Sequence, residues 1–519
     1  MKKLLSVLLA LGVLIGALGG CSKSNDNTKV NLIWAIPTSE QKDYGLVIEE
    51  VNKLLEDKLP NTTLELKQDS AMSTKWSLWM AGKKTIDIAS SGYATNLATE
   101  INRNAYLELN DLIEEYAPTI KAEWEEYDID YASGMMDGKL YAIPDLQIHI
   151  NDQIYFGVPE YYYQYLDVEA LQKAVKENIT TTQVFYDIIN NYLEEVSKHP
   201  NEQNTGKISY VEYTFKSLVK RGFEFIGGTD TLLCYRLDDE ETKVLNFYET
   251  EEYKLWIENA AKWYSKGYIS KDILTGDSDS DKDGLFTCNV VNMRVIDRNN
   301  DGILTPEEQN SDGISNSTSY KISLTDESQK YLGVTVLGKL AVYLSIPSTS
   351  QNPERAIQLL ELLRKDEGRD ILNTLVYGIE GKHYEKTGEN TIKAFEYNGQ
   401  GGSSSSYGLP NWMMGNQLKM YICSPYNEDT YNAAVQYYKE DRPNYKKTRL
   451  YKFSADNTKV ENEIAQMAAI DEEFLLQLIG GVSDSKYNET YKKMMDKLKA
   501  AGIDDVVKEY QQQCDSYGG

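Results

Sequence analysis

Residues 30–90 read VNLIWAIPTSEQKDYGLVIEEVNKLLEDKLPNTTLELKQDSAMSTKWSLWMAGKKTIDIAS, and the alternation within them decides the fold. Val30–Ile36 is a short apolar run of the kind that forms a buried strand. Gln41–Lys58 carries Val47, Val51, Leu54 and Leu55 at helical spacing, and Pro60 ends that helix. Thr63–Lys67 alternates apolar with polar, which turns Leu64 and Leu66 inward as in a strand. A helix over Met72–Ala81 and a strand over Ile86–Ser90 complete a βαβαβ series. Such a series builds a mostly parallel, two-sided α/β sheet. Ligands of these sheets bind beyond the carboxyl ends of the strands. Trp34–Pro37 and Ser90–Tyr93 therefore fall at a candidate site.

Beyond this unit, Gly138–Pro144 (GKLYAIP) and the polar stretch after it read as a crossover into a second lobe. Helices are predicted near Thr181–Lys198 and Glu251–Lys266, and residues 275–320 form a long loop region rich in Asp, Asn, Ser and Gly. Tyr331–Pro347 returns as an apolar, β-rich run, followed by a helix with Asn352 as cap and Pro353 in its first position. Ala356, Leu359, Leu360 and Leu363 give that helix its buried stripe. Asn398–Ser406 is an exposed Gly/Ser loop. The chain then turns helical, with Tyr487–Ala500, a stop at Gly502 and a last helix over Asp504–Gln513. The expected lobes are residues 30–147, completed by about 332–374, and residues 148–331, completed by about 375–519.

The amino terminus carries its own signal. Lys2 and Lys3 precede an apolar run from Leu4 to Leu18 that suits a secretory signal better than a permanent span. It ends Leu18-Gly19-Gly20-Cys21, which resembles the lipobox of bacterial lipoproteins. Residues 1–20 are thus a removable signal, Cys21 the lipidation site and residues 21–29 a polar tether. The other reading of this segment is an ordinary membrane anchor with an incidental cysteine. Among the remaining cysteines, Cys234, Cys288, Cys423 and Cys514 show no CxxC spacing, so neither a zinc nor a redox motif is indicated.

Composition narrows the function. A net charge of −26 repels phosphate backbones and anionic lipid, which argues against nucleic-acid binding. Three histidines, His149, His199 and His383, leave little for imidazole catalysis. Thirty-nine tyrosines and seven tryptophans, by contrast, supply many flat apolar faces for a ligand with C–H surfaces.

The lipobox, the strand bearing Trp34, GKLYAIP and the segment SIPSTSQNPERA together resemble family-1 extracellular solute-binding proteins, the carbohydrate-capturing lipoproteins of ABC importers. Tyr377–Lys386 (YGIEGKHYEK), Trp412–Gln417 (WMMGNQ) and Leu498–Gln513 extend the likeness to the long subgroup similar to the lipoprotein called LplA. The resemblance implies a type II, periplasmic-binding-protein-like fold. In it two α/β lobes joined by hinge strands trap a carbohydrate and present it to permease subunits on the extracytoplasmic face of the membrane.

Candidate ligand contacts follow, each with a structural alternative. Trp34 and Tyr93 end strands and either face the cleft or pack the strand ends. Trp76 and Trp79 share a helix face and are ligand contacts or core. Trp412 and Asn416 sit in a Gly-flanked loop similar to a ligand-facing loop of the family. Glu380 and Tyr384 lie in a glycine-constrained turn, where a structural role competes with contact.

Asp297–Glu308 (DRNNDGILTPEE) reproduces the EF-hand calcium loop. Asp297, Asn299 and Asp301 hold its first, third and fifth positions, and Gly302 its sharp turn. Ile303 offers a carbonyl at the seventh position and Glu308 a bidentate carboxylate at the twelfth. The cofactor expected there is structural Ca2+, stiffening the second lobe; a solvated Asp/Asn turn is the alternative. The run before it, Asn289–Ile296, reads as strand and not helix. A second run, Asp279–Gly284, begins the same pattern but has Val290 at its twelfth position.

Two rivals share these features. A surface glycoside hydrolase needs only two carboxylates and no histidine. A glycan-binding adhesin would carry the same anchor and aromatics. The sequence holds no P-loop, GxSxG or HExxH motif, and binding without catalysis is the expectation.

Overall fold

A computed structural model describes residues 28–517 other than 130, 137, 149–153, 200–221, 227–231, 270–284, 291–294, 313–316, 326–330, 333–341, 396–405, 425, 452, 454 and 482–485. The expected signal segment, Cys21, the second Asp-rich run and most of the Gly/Ser loop lie outside the described residues.

The first lobe opens with β1 (Val30–Ile36), α1 (Tyr44–Lys58), β2 (Thr62–Gln68), α2 (Met72–Ala81) and β3 (Ile88–Ser91). β1 pairs in parallel with β2 and β3. Tyr343–Ser345, antiparallel to β3, and Ile143–Pro144 complete a five-stranded sheet. The pleat sends Leu32, Trp34 and Ile36 to one apolar layer and Ala35 and Ala89 to another, so both faces are covered.

Two boundaries moved for a visible reason. β3 begins after Asp87, not at Ile86, because the Asp87 carboxylate itself accepts the Ile33 amide (3.0 Å), the Ser350 hydroxyl (2.7 Å) and the Gln351 amide (3.2 Å). α1 begins at Tyr44, not Gln41. The preceding Asp43 makes no capping bond and instead accepts from Ser406 Oγ (2.8 Å) and contacts His383 Nε2 at 3.2 Å. Asn352 stands at the cap of Pro353–Arg364, but without the expected side-chain bond.

In the second lobe Ile154–Pro159 lies between Thr287–Val290 and Ser319–Ser323, and Ile303–Leu304 forms the edge. All these pairings are antiparallel, as are those of a second sheet built from 223–226, 233–236 and 245–246. The mostly parallel expectation therefore fits the opening strands of the first lobe and two short pairs, 331–332 with 446–447 and 391–392 with 422–423, but not these two sheets. Antiparallel neighbours need no helical crossover of fixed hand, so the connections vary: Ile154–Pro159 reaches Thr287–Val290 through helices 168–176, 183–197 and 251–265, and Ile303–Leu304 reaches Ser319–Ser323 through Pro306–Ser311.

The lobes have separate cores. One runs from Leu32 to Ile143 and from Val342 to Met420; the other from Ile154 to Leu324 and from Leu450 to Cys514. The expected handover at residue 375 is thus corrected. Arg369–Tyr377 buries Ile371, Leu372, Leu375 and Val376 in the first lobe, and Tyr407, Leu409 and Met413 follow them there. Helices Glu461–Leu476, Tyr487–Ala500 and Ile503–Ser516 close the second. Gly502, with φ of +92°, makes the expected break between the last two. Cys234, Cys423 and Cys514 carry free thiols.

Candidate functional site

The carboxyl end of β3 leads into Gly92, whose φ of +79° turns the chain so that Tyr93 projects outward, 48% exposed. Trp412, on the 3-10 turn Asn411–Met413, meets it edge to face, with ring centroids 4.9 Å apart at 86°. Met413 roots this turn in the first core, and Gln147 Nε2 donates to the Trp412 carbonyl at 2.9 Å. Two residues singled out separately in the sequence are therefore one aromatic corner, fixed from the crossover strand.

A second feature opens between the lobes. A cavity of about 210 Å³ has Ser73, Trp76, Thr95 and Glu100 on the first lobe and Asn457 and Glu461 on the second among its lining residues. Trp76 is only 1% exposed, and its indole N–H donates to Glu100 Oε2 at 3.1 Å. Glu100 Oε1 accepts from Arg103 (3.0 Å), whose other nitrogen reaches Glu461 at 2.6 Å across the gap. Sequence reasoning missed Glu100, Arg103, Asn457 and Glu461. Arg103 and Glu461 lie 358 residues apart, and no local motif marks either.

Other expected contacts went elsewhere. Trp34 is fully buried, opposite Leu66 and Ile88 in the sheet, because the pleat turns it with Leu32 and Ile36 into the core. Trp79 is packed beside Trp76 and covered by Lys67 Nζ at 4.3 Å. Asn416 is also buried: its amide donates to Glu123 (2.7 Å) and its carbonyl accepts the Leu418 amide (2.8 Å), so it braces the loop. Glu380 is exposed and paired with Lys386 at 3.5 Å, while Tyr384 is buried beside Tyr421, where burial pushes its hydroxyl up to about 12. The glycines around them, Gly378 and Gly381, have φ of +86° and +77°, which makes this turn a constrained one.

At the crossover, Arg364 is buried with Nη1 2.9 Å from Glu123 Oε2 and Nη2 3.7 Å from Asp145 Oδ1. Burial raises the Asp145 carboxyl well above the usual carboxylate range, and Arg364 and the Gly415 amide offset this only in part.

The loop from Asp297 to Glu308 has its expected sharp turn at Gly302, with φ of +76°, and Asn300 is also left-handed at +52°. Asp297 accepts the Gly302 amide at 2.8 Å and Asp301 the Ile303 amide at 2.9 Å. Leu304 is buried against Tyr155 and Val295. Glu308 is turned toward its own helix, accepting the Thr305 amide at 2.9 Å in a capping box, and toward the Arg298 amide at 3.2 Å. Among the described residues no three Asp, Glu, His or Cys side chains converge to hold a metal. The turn and the hard oxygen donors fit the oxygen shell that calcium takes, and Glu308 Oε1 already lies 3.5 Å from Asn299 Nδ2 at the third position.

A family model described as a domain of unknown function (DUF3502) matches residues 449–518. A carbohydrate ABC transporter substrate-binding protein of Streptococcus pneumoniae serotype 4 is 24% identical over 480 residues, which cover 88% of this chain and 86% of that protein. Among solved structures, the N-glycan transport solute-binding protein NgtS of Streptococcus pneumoniae has a TM-score of 0.67 at 18% identity, covering 94% of this chain and 98% of its own. In complex with Man1GlcNAc the same protein gives 0.62 at 20% identity, covering 93% and 98%. The pneumococcal ABC-transporter substrate-binding protein FusA, as an EF-hand mutant with fructo-nystose, gives 0.52 at 15%, covering 94% and 99%. The fold is that of type II solute-binding proteins, and the resemblance read from the sequence is borne out.

Proposed function

We propose that this chain is a substrate-binding protein, lipid-anchored through Cys21 outside the cytoplasm, that captures an oligosaccharide between its lobes and delivers it to the permease of an ABC importer. The observation that carries the reading is the Tyr93–Trp412 corner at the carboxyl end of β3. A sugar ring has an apolar C–H face for such rings and a rim of hydroxyls. Each hydroxyl taken from water needs a polar partner, so the amides and carboxylates of the cleft set which glycan fits. Lobe closure then excludes water and changes the shape offered to the permease.

The named relatives support an oligosaccharide and suggest the first panel: Man1GlcNAc and short fructo-oligosaccharides. Calcium in the Asp297–Glu308 loop belongs to the same reading, as a stiffener of the second lobe whose oxygens would hold the ion through Asp297, Asn299, Asp301, Ile303 and Glu308. A thermal-shift screen of the lipid-free protein tests the function, with each mixture also analysed for glycan breakdown. A ligand at about 100 times its Kd adds about 2.7 kcal/mol of stability. Tyr93→Ala and Trp412→Ala should each weaken binding of the hit by about 1–3 kcal/mol. A glycan recovered in pieces would mean hydrolysis, and unchanged affinity in both variants would displace the site from the aromatic corner.

A further inference from the structure

The family model that matches residues 449–518 describes them as a domain of unknown function, and the structure gives them a defined place. They contribute Asn457, Glu461 and Ile464 to the lining of the interlobe cavity. They also grip one short helix of the first lobe, Leu97–Asn102, together with the residue after it. Asn102 Nδ2 donates to Asp456 Oδ2 at 2.7 Å, the Asn457 amide donates to Thr99 Oγ1 at 3.1 Å, and Arg103 reaches Glu461 at 2.6 Å.

The gripping turn is itself held rigid from behind. The Asp456 amide donates to Gln513 Oε1 and Gln513 Nε2 returns to the Asp456 carbonyl, both at 2.8 Å. Tyr510 donates its hydroxyl to Asn457 Oδ1 at 2.7 Å, and Asp456 Oδ1 accepts the Thr458 amide at 2.9 Å. The helix Ile503–Ser516 therefore braces residues 456–457 before the other lobe arrives. Pre-set donors and acceptors lose less freedom on contact than flexible ones do.

We propose that residues 449–518 form the closing jaw of the cleft: they wall the cavity on the second-lobe side and latch the lobes together through Asp456, Asn457 and Glu461. The wall they supply suits an uncharged sugar residue, since Arg103, the one cation among the described lining residues, is already shared between Glu100 and Glu461. This occupant rests on the carbohydrate reading above; the latch does not.

The test uses the full lipid-free chain with and without Man1GlcNAc, or the best glycan of the screen. Asn102→Ala combined with Arg103→Gln removes two grips from exposed positions of the first lobe, and Glu461→Gln removes one from the exposed face of the other. Small-angle scattering without ligand should show a larger radius of gyration in the double variant, with an unchanged far-ultraviolet spectrum. Apparent affinity falls in proportion to the closed fraction, so a tenfold loss of closed protein reads as an about tenfold higher Kd. Glu461→Gln should shift both readouts in the same direction by less. Scattering that superposes on the parent in both variants overturns the latch. Opening in a protein that binds no glycan leaves the latch standing and removes the carbohydrate reading instead.

Discussion

Asp145 stands where the chain leaves the first lobe, and it is the surplus charge of a buried trio. Arg364 already has a close partner in Glu123, at 2.9 Å against 3.7 Å for Asp145. A carboxyl whose folded pKa is raised holds its proton more tightly in the folded chain. Its contribution to stability is therefore complete below the ordinary carboxylate range and is lost as pH rises through the folded pKa. Asp145→Asn mimics the protonated side chain and should raise stability near pH 7 by on the order of 1 kcal/mol. The gain over the parent should vanish at about pH 4. Asp43 and Asp69 act in the opposite sense, because hydrogen bonds from Ser406 and Lys75 respectively lower their pKa values. Their contribution is lost on acidification, so the comparison must be variant against parent at each pH. A variant that melts lower at pH 7 would show that the trio needs the ionised form.

The Asp297–Glu308 loop belongs to the scale of the element. Glu308 serves the helix Pro306–Ser311 as the third residue of a capping box. Its two oxygens carry about four lone pairs, enough for the Thr305 cap and a bidentate calcium contact together. Calcium should therefore raise the melting temperature, by about 2.7 kcal/mol of added stability when the ion is at 100 times its Kd. Glu308→Gln should lose most of that gain. Identical melts in chelator and in calcium would reject the metal.

Elements were also the scale at which the sequence was most legible. β1, α2 and Tyr487–Ala500 fall at their expected bounds because apolar spacing and flanking breakers act locally. Other starts shifted where distant partners intervened, as Ser350 and Gln351 do through Asp87 for β3 and His383 and Ser406 do through Asp43 for α1. Residue roles were harder to read. Trp34 looks the same in sequence whether it ends a strand at a cleft or pairs with Leu66 mid-sheet. Tyr93 and Trp412 could each be picked out, but not their contact, and the cavity residues depend on which lobe reclaims the chain after residue 420.

For the whole molecule, the proposed lipid at Cys21 would decide where the protein resides. A single acyl chain gives only marginal membrane binding, so a stable anchor there would require more than one. Cys21→Ser should leave glycan affinity unchanged and move the protein from the membrane fraction into the medium. Retention in the membrane fraction would show that residues 4–18 serve as an uncleaved span.

The interleaving of the two cores also imposes an order of assembly on a chain that emerges amino terminus first. The first lobe has its last core residue at Met420, whereas the second joins Ile154–Leu324 to Leu450–Cys514. A chain emerging amino terminus first can bury the former while the final hundred residues are still in transit. The latter must wait with its apolar strands unmatched until those residues appear, and long-range closure of this kind is slow. In that interval the half-made lobe keeps its apolar strands exposed, and the last helix is the piece that ends that exposure.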